Sequence, residues 1–295
     1  MKQIAAKKLL RKTVSGIKSL KIQGASKVTE ALLSTTKTIA EHSAEKNLKK
    51  FRKELREAVL LLANARPTEP EARAAAKVLL KTINGKAKNL KELGGQIAKA
   101  CNNFSNERKK AMERIAKNAL RFFPKKAVAF THCHSHSVIE ALKLAKKKGK
   151  LAEVYCTETR PLMQGHKTAK DLSAEGIKAT LVVDSAAYSF LPRCDLFITG
   201  ADAVTVKGGV LNKIGTAQIS LAAKNFGVPH IVLASTHKID PLTSKGKEPI
   251  EERGVKEVWE KKLPKLSIRN PAFDETPAKN VKAIVTEKGV WRGKR

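Results

Sequence analysis

Two patterns of apolar positions divide the chain. Up to about Phe123, apolar residues come in short groups such as Ala31-Leu32-Leu33 and Ala58-Val59-Leu60-Leu61-Leu62, set in charged, helix-forming sequence. β-branched clusters are sparse there, so the segment predicts helices. Breaks are predicted at Gly24, at Arg66-Pro67-Thr68-Glu69-Pro70, at Asn84-Gly85 and at Gly94-Gly95. A basic helix is predicted from after Ser105 to Arg121, ended by Pro124, which cannot continue a helix. This places the domain boundary there: a helical domain over 1–123 and a second domain over 124–295.

Beyond Pro124 the pattern changes. Apolar, β-branched runs at Ala127–Thr131, Ala152–Thr157, Ala179–Asp184, Asp195–Thr199, Val228–Ala234 and Val281–Thr286 predict strands. Helices are predicted between them, at about Ser137–Lys148, Thr168–Glu175, Asn212–Phe226 and Ile250–Glu257. Strands alternating with helices imply βαβ units and a parallel sheet. The expected fold class is α/β: a helical N-terminal domain followed by a Rossmann-like parallel-sheet domain. No GxGxxG follows the first strand, so a dinucleotide site is not indicated and no cofactor is expected.

Composition adds one unusual fact. The net charge is +32, with 59 Lys and Arg against 27 Asp and Glu. Such a charge suits an anionic partner, either nucleic acid or a phosphorylated small substrate; a lysine-coated soluble surface accounts for it equally well. Aromatic residues make up only 4%, which argues against a base-stacking platform and makes nucleic acid the weaker partner candidate. Cys101, Cys133, Cys156 and Cys194 form no CxxC pair, so no metal site is expected, and their scatter fits a reducing cytoplasm. No apolar run reaches the roughly 18 residues of a membrane span. The basic N-terminus lacks the arginine and serine richness of a transit peptide.

The candidate chemistry sits after two predicted strands: Thr131-His132-Cys133-His134-Ser135-His136-Ser137 and Thr199-Gly200-Ala201-Asp202-Ala203. Ligands of open parallel sheets bind beyond the carboxyl ends of the strands, so a thiol and a carboxylate at two such ends can face one substrate. Alternation along an extended stretch would put Cys133 opposite the three histidines. A following helix N-terminus would favour its thiolate. Asp202 reads equally as a turn or cap aspartate, and Asp184 as a residue that caps a helix or fixes a loop. Arg160, in Glu158-Thr159-Arg160-Pro161, offers a planar fork for phosphate or carboxylate. Lys213, in Asn212-Lys213-Ile214-Gly215-Thr216, opens a predicted helix and suits an anion. Arg66 lies at a helix break in the first domain.

In order, these motifs, together with Gln164-Gly165, Val183-Asp184-Ser185-Ala186-Ala187 and Asn270-Pro271-Ala272-Phe273-Asp274, resemble one superfamily. It joins the alpha, beta and delta subunits of translation initiation factor 2B with methylthioribose-1-phosphate isomerase and ribose 1,5-bisphosphate isomerase. Thr-His-Cys-His-Ser with Val-Val-Asp-Ser-Ala-Ala is most similar to the last. The resemblance is dense from Lys126 to Gly289. It implies a helical domain capping a Rossmann-like one, homodimers or dimer-built oligomers, and an aldose–ketose isomerase of a phosphorylated ribose. Cys133 and Asp202 would be catalytic. Gln23, Gly24, Ala25, Arg66, Ser135, Arg160, Asn212 and Lys213 would bind substrate. The alternatives it carries are an initiation-factor-like regulatory protein without catalysis and the methylthioribose enzyme. The family's usual first-domain Arg-Gly-Ala reads Gln23-Gly24-Ala25 here, which replaces a guanidinium by a neutral amide. Ile239-Asp240-Pro241 is more like the methylthioribose enzyme.

Overall fold

The computed structural model describes residues 2–22, 24–66, 68–242, 250–261 and 263–291, with side chains from Ala6 onward. Gln23 and Pro67 lie outside the described residues, as does the basic tail after Trp291. Two compact units divide at Lys110/Ala111.

The first unit is helical: α1 (Lys2–Lys18), α2 (Ala25–His42), α3 (Leu48–Asn64), α4 (Pro70–Ile83) and most of α5 (Leu90–Ala119). Helix α2 buries Val28, Leu32 and Ile39 at helical spacing, and its buried Thr29 and Thr36 donate to the carbonyls of Ala25 and Leu32. Asn47 caps α3 by accepting from the Lys50 N–H at 3.1 Å, and Pro70 opens α4, where no N–H is needed. The break predicted at Gly94-Gly95 does not occur, because both glycines lie inside α5. Leu93 and Ile97 on either side are fully buried, and that burial outweighs the ~1 kcal/mol helix cost of each glycine. The unit boundary falls inside α5 rather than at Pro124, since Ile115, Ala116 and Ala119 already belong to the core of the second unit.

The second unit is built on a seven-stranded sheet ordered β10-β9-β7-β4-β1-β2-β3. Its strands are β1 (Ala127–Thr131), β2 (Leu151–Thr157), β3 (Ala179–Val182), β4 (Leu196–Thr199), β7 (His230–Leu233), β9 (Ala283–Thr286) and β10 (Gly289–Trp291). All pairs are parallel except β10 with β9. Every predicted strand is present. Helices α6 (His136–Lys147), α7 (Gln164–Ala174), α8 (Ala187–Phe190) and α9 (Thr216–Asn225) connect them. Strand β1 is nearly wholly buried and packs under Val138, Ala141, Leu142 and Ala145 of α6.

Two predictions fail here. Asn212 and Lys213 do not begin a helix; they end strand β6 (Val210–Lys213), and α9 starts only at Thr216. Strand β6 pairs antiparallel with β5 (Ala203–Val204) and β8 (Phe273–Thr276) in a second, three-stranded sheet that sequence periodicity did not reveal. The stretch 250–257 is not α-helical: Glu252 forms a bridge with Pro271, and only Val255–Glu257 makes a 3₁₀ turn. The Glu252 carboxylate accepts from Arg269 and from the Asn270 N–H, so ion pairing rather than helix propensity sets this segment.

Candidate functional site

Sheet order points to a candidate site. From β1 the chain moves one way to β2 and β3, then returns to β1's other side for β4, β7 and β9. The switch point therefore lies between β1 and β4, where open α/β sheets bind ligands. Cys133 follows β1, and Gly200-Ala201-Asp202 follows β4. The two turns touch. A Cβ on Gly200 would stand 2.5 Å from Ser135 Oγ, so only glycine admits this approach.

The Cys133 turn is held in an unusual conformation. Its φ is 66°, the left-handed region, rather than the extended backbone expected from the sequence. Its N–H donates to Thr159 Oγ1 at 3.0 Å, and its carbonyl accepts from Thr168 Oγ1 at 2.9 Å. His132 is buried beside it. His132 Nε2 lies 2.9 Å from the Ile214 carbonyl and Nδ1 lies 2.6 Å from Thr157 Oγ1. Burial lowers the His132 pKa, opposed by its bond to the Ile214 carbonyl and by nearby Asp184. His134 turns elsewhere, its Nε2 3.5 Å from Asp171. The three histidines thus do not share one face.

Of the four cysteines, all free, only Cys133 is half-exposed; Cys101, Cys156 and Cys194 are buried. Burial of its sulfur pushes the Cys133 thiol up to about 11; Asp202 and Asp184 reinforce this, while Lys213 and the His134 N–H oppose it. Desolvation thus outweighs the helix-terminus effect expected from sequence. The charges of Asp202, Lys213 and Asp184 thus all act on the thiol.

Asp202 is half-buried, and its N–H donates to the Leu211 carbonyl at 2.9 Å. Lys213 is buried, with Nζ 5.3 Å from the centre of the Phe273 ring. Asn212 Nδ2 donates to Thr216 Oγ1. Arg160 is exposed, and its loop is fixed by Asp184, whose carboxylate accepts from the N–H groups of Thr159 and Arg160 at 2.8 and 2.7 Å. The loop-fixing reading of Asp184 is the one observed. Sequence reasoning missed Lys238, whose Nζ donates to the Ala201 carbonyl at 2.5 Å, because a lysine among so many carries no signal. It also gave Asp274 no separate role. Asp274 Oδ2 accepts from Gly215 N–H at 2.7 Å and Ala217 N–H at 3.1 Å, capping α9.

In the first unit, Gly24 has φ 86° and precedes α2, whose first residue, Ala25, is buried. Arg66 is 6% exposed and pairs with the buried Glu69 at 3.1 Å. Among the described residues, no cluster of three or more His, Cys, Asp or Glu side chains is arranged to hold a metal, and no helix is long and apolar enough to cross a membrane.

Comparison with known proteins agrees with this architecture. The initiation factor 2 subunit family matches residues 21–293. The chain belongs to that family. Within it, the chain is 39% identical over 285 residues to a ribose 1,5-bisphosphate isomerase of Methanocaldococcus jannaschii, covering 96% of this chain and 91% of the relative. It is 37% identical to the protein of the same name from Thermococcus kodakarensis, covering 93% and 88%. A 5-deoxyribose 1-phosphate isomerase of Clostridium botulinum is 34% identical, covering 85% and 77%. Among solved structures, the translation initiation factor eIF-2B of Pyrococcus horikoshii superposes with TM-score 0.80 at 26% identity, covering 95% of this chain and 96% of that one. The 5-methylthioribose 1-phosphate isomerase of the same organism gives 0.79 at 27%, covering 95% and 83%. The family thus holds both isomerases and translation factors on one fold, so the site must carry the functional argument.

Proposed function

We propose that this member of the family is an aldose–ketose isomerase of a phosphorylated ribose, converting ribose 1,5-bisphosphate to ribulose 1,5-bisphosphate. The observation that carries the reading is that the turns bearing Cys133 and Asp202 meet at the β1/β4 switch point, where the charges of Asp202 and Lys213 act on the thiol. The names of the archaeal relatives point to the same substrate.

The chemistry follows from the substrate. An aldose with a phosphorylated anomeric oxygen cannot open to a free aldehyde, so the ring must be broken by elimination. The Cys133 thiolate removes the C2 proton, the electron pair forms the C1–C2 double bond, and the C1–ring-oxygen bond breaks. Asp202 acts as the acid that gives a proton to the departing ring oxygen. The enol then becomes the ketone: the C2 hydroxyl returns a proton to Asp202, and the Cys133 thiol protonates C1. Both residues end as they began. Burial holds the thiol up at about 11, and Lys213 already opposes that rise and so favours the thiolate. Lys213, Asn212, Ser135 and Arg160 bind the phosphates and hydroxyls.

The protein works in the cytoplasm as a homodimer or dimer-built oligomer. Light scattering at micromolar concentration checks the assembly, and a mass near 32.2 kDa contradicts it. The function is tested by a turnover screen against ribose 1,5-bisphosphate, methylthioribose 1-phosphate and ribose 1-phosphate. Preference for the first is expected. No turnover of any of them leaves the regulatory reading that the eIF-2B likeness also supports.

A further inference from the structure

Cys133 is held by more than its neighbours in sequence. Both polar groups of its backbone are bonded to buried threonine hydroxyls from other elements: the N–H to Thr159 and the carbonyl to Thr168 of α7. The direction of the bonds at His132 behind this clamp is fixed. A carbonyl only accepts, so His132 Nε2 carries the hydrogen toward Ile214 O, 2.9 Å away. Burial keeps the imidazole neutral, so its Nδ1 is an acceptor and the Thr157 hydroxyl donates to it at 2.6 Å. Thr157 Oγ1 is then open to the Thr159 hydroxyl, 3.3 Å away, which also lies 3.3 Å from the Thr157 carbonyl. That leaves the Thr159 oxygen to accept from the Cys133 N–H. The bonds run from Cys133 to Thr159, from Thr159 to the hydroxyl or carbonyl of Thr157, and from the Thr157 hydroxyl through His132 to the carbonyl before α9.

The threonines are themselves set by tight packing. A Cβ on Gly165 would stand 1.6 Å from the Thr157 carbonyl oxygen, so α7 is pressed onto the end of β2, which carries Thr157, and the loop after it, which carries Thr159. Asp184 accepts from the Thr159 N–H at 2.8 Å, and Thr159 shares the left-handed conformation, with φ 64°.

We infer that Thr159 and Thr168 are positioning residues for proton transfer by Cys133: together they hold its peptide in the left-handed turn that aims the thiol at the switch point, and the His132–Thr157 pair keeps the Thr159 oxygen turned toward it. This rests on the reading of Cys133 as the base. A left-handed turn at a residue with a side chain is disfavoured in free peptide, so without the clamp the thiol leaves this position.

The test uses the full chain with Thr159→Val and Thr168→Val, which keep shape and remove the hydroxyl, beside Thr159→Ser and Thr168→Ser, which keep it. Three quantities are read: kcat and KM for ribose 1,5-bisphosphate, melting temperature, and the pH at which iodoacetamide labels Cys133, followed by peptide mass spectrometry. Each valine variant is expected to lose about tenfold or more in kcat with little change in KM, the scale of one lost hydrogen bond. The midpoint of Cys133 labelling moves toward that of an ordinary thiol, and the serine variants restore both. Valine variants that keep kcat and the labelling midpoint overturn the inference. So does a loss that serine does not restore, or one that only follows unfolding. Cys133→Ser, assayed alongside, separates the two levels. If it stays active, the reading of Cys133 itself fails; if it is inactive while the valine variants match the parent, only the positioning inference fails.

Discussion

Gly200 and Ser135 lie against each other at the switch point, close enough that a Cβ at Gly200 would stand 2.5 Å from Ser135 Oγ and 2.8 Å from Ser135 Cβ. This contact brings the turn bearing the thiol to the turn bearing the carboxylate. Gly200→Ala is expected to force them apart, costing about 1–3 kcal/mol of stability as an overpacked contact and lowering kcat/KM. Adding Ser135→Gly should recover the melting temperature. A single variant with parental melting temperature and kinetics contradicts the contact.

Cys133→Ser is expected to lower kcat by about 10²–10⁴-fold with the fold intact, because a hydroxyl has too high a pKa to serve as the base. Asp202→Asn should do likewise, since an amide cannot supply the proton to the ring oxygen. Circular dichroism checks the fold, and single-turnover assays check the rate. Activity within about tenfold of the parent in either variant removes that residue from the chemistry.

The pH dependence follows from the thiol. Its pKa of about 11 in the folded chain exceeds the 9.0 of an ordinary thiol, so the protonated form dominates at neutrality. The base works as thiolate, so kcat/KM should rise with pH between about 7 and 9, where the substrate phosphates are already ionised. The raised pKa also has a stability sign: its contribution is fully present below the unfolded pKa and is lost as pH climbs through the folded one. A kcat/KM profile that falls over this range is the contrary result.

Asp274 carries a second pH signature. Burial raises its pKa to about 6 from 3.8, against the bonds from Ala217 and Gly215 N–H, which lower it. The stability this gives is present below the unfolded value and lost as pH rises through about 6. Asp274→Asn keeps an oxygen for the α9 cap and removes the ionisation. Relative to the parent, it should gain melting temperature between pH 4 and 7. Parallel melting curves for the two proteins across that range contradict the assignment.

The family resemblance implies an arginine at the position that Gln23 occupies. If this position meets a phosphate, Gln23→Arg restores a charge-assisted bond and tightens bisphosphate binding by about ten- to a hundredfold. Titration at low and physiological salt separates a direct contact from long-range attraction. Unchanged binding shows that the residue meets no phosphate.

The sequence by itself determined the local elements of the sheet unit. Apolar, β-branched runs marked the seven-strand sheet's β1, β2, β3, β4, β7 and β9, because strands buried under helices need apolar residues on both faces. It also determined which motifs follow β1 and β4, and so named Cys133 and Asp202. Tertiary structure decided the rest. The short strands β5, β6 and β8 owe their form to pairing between distant segments, such as Asn212 with Asp274, which local periodicity does not encode. Helix α5 runs through Gly94-Gly95 because burial of Leu93 and Ile97 overrides local propensity. The state of the Cys133 thiol was likewise beyond the sequence. Desolvation, the left-handed turn and the Thr159–Thr168 clamp arise only when residues from three separate loops and helices close around one sulfur.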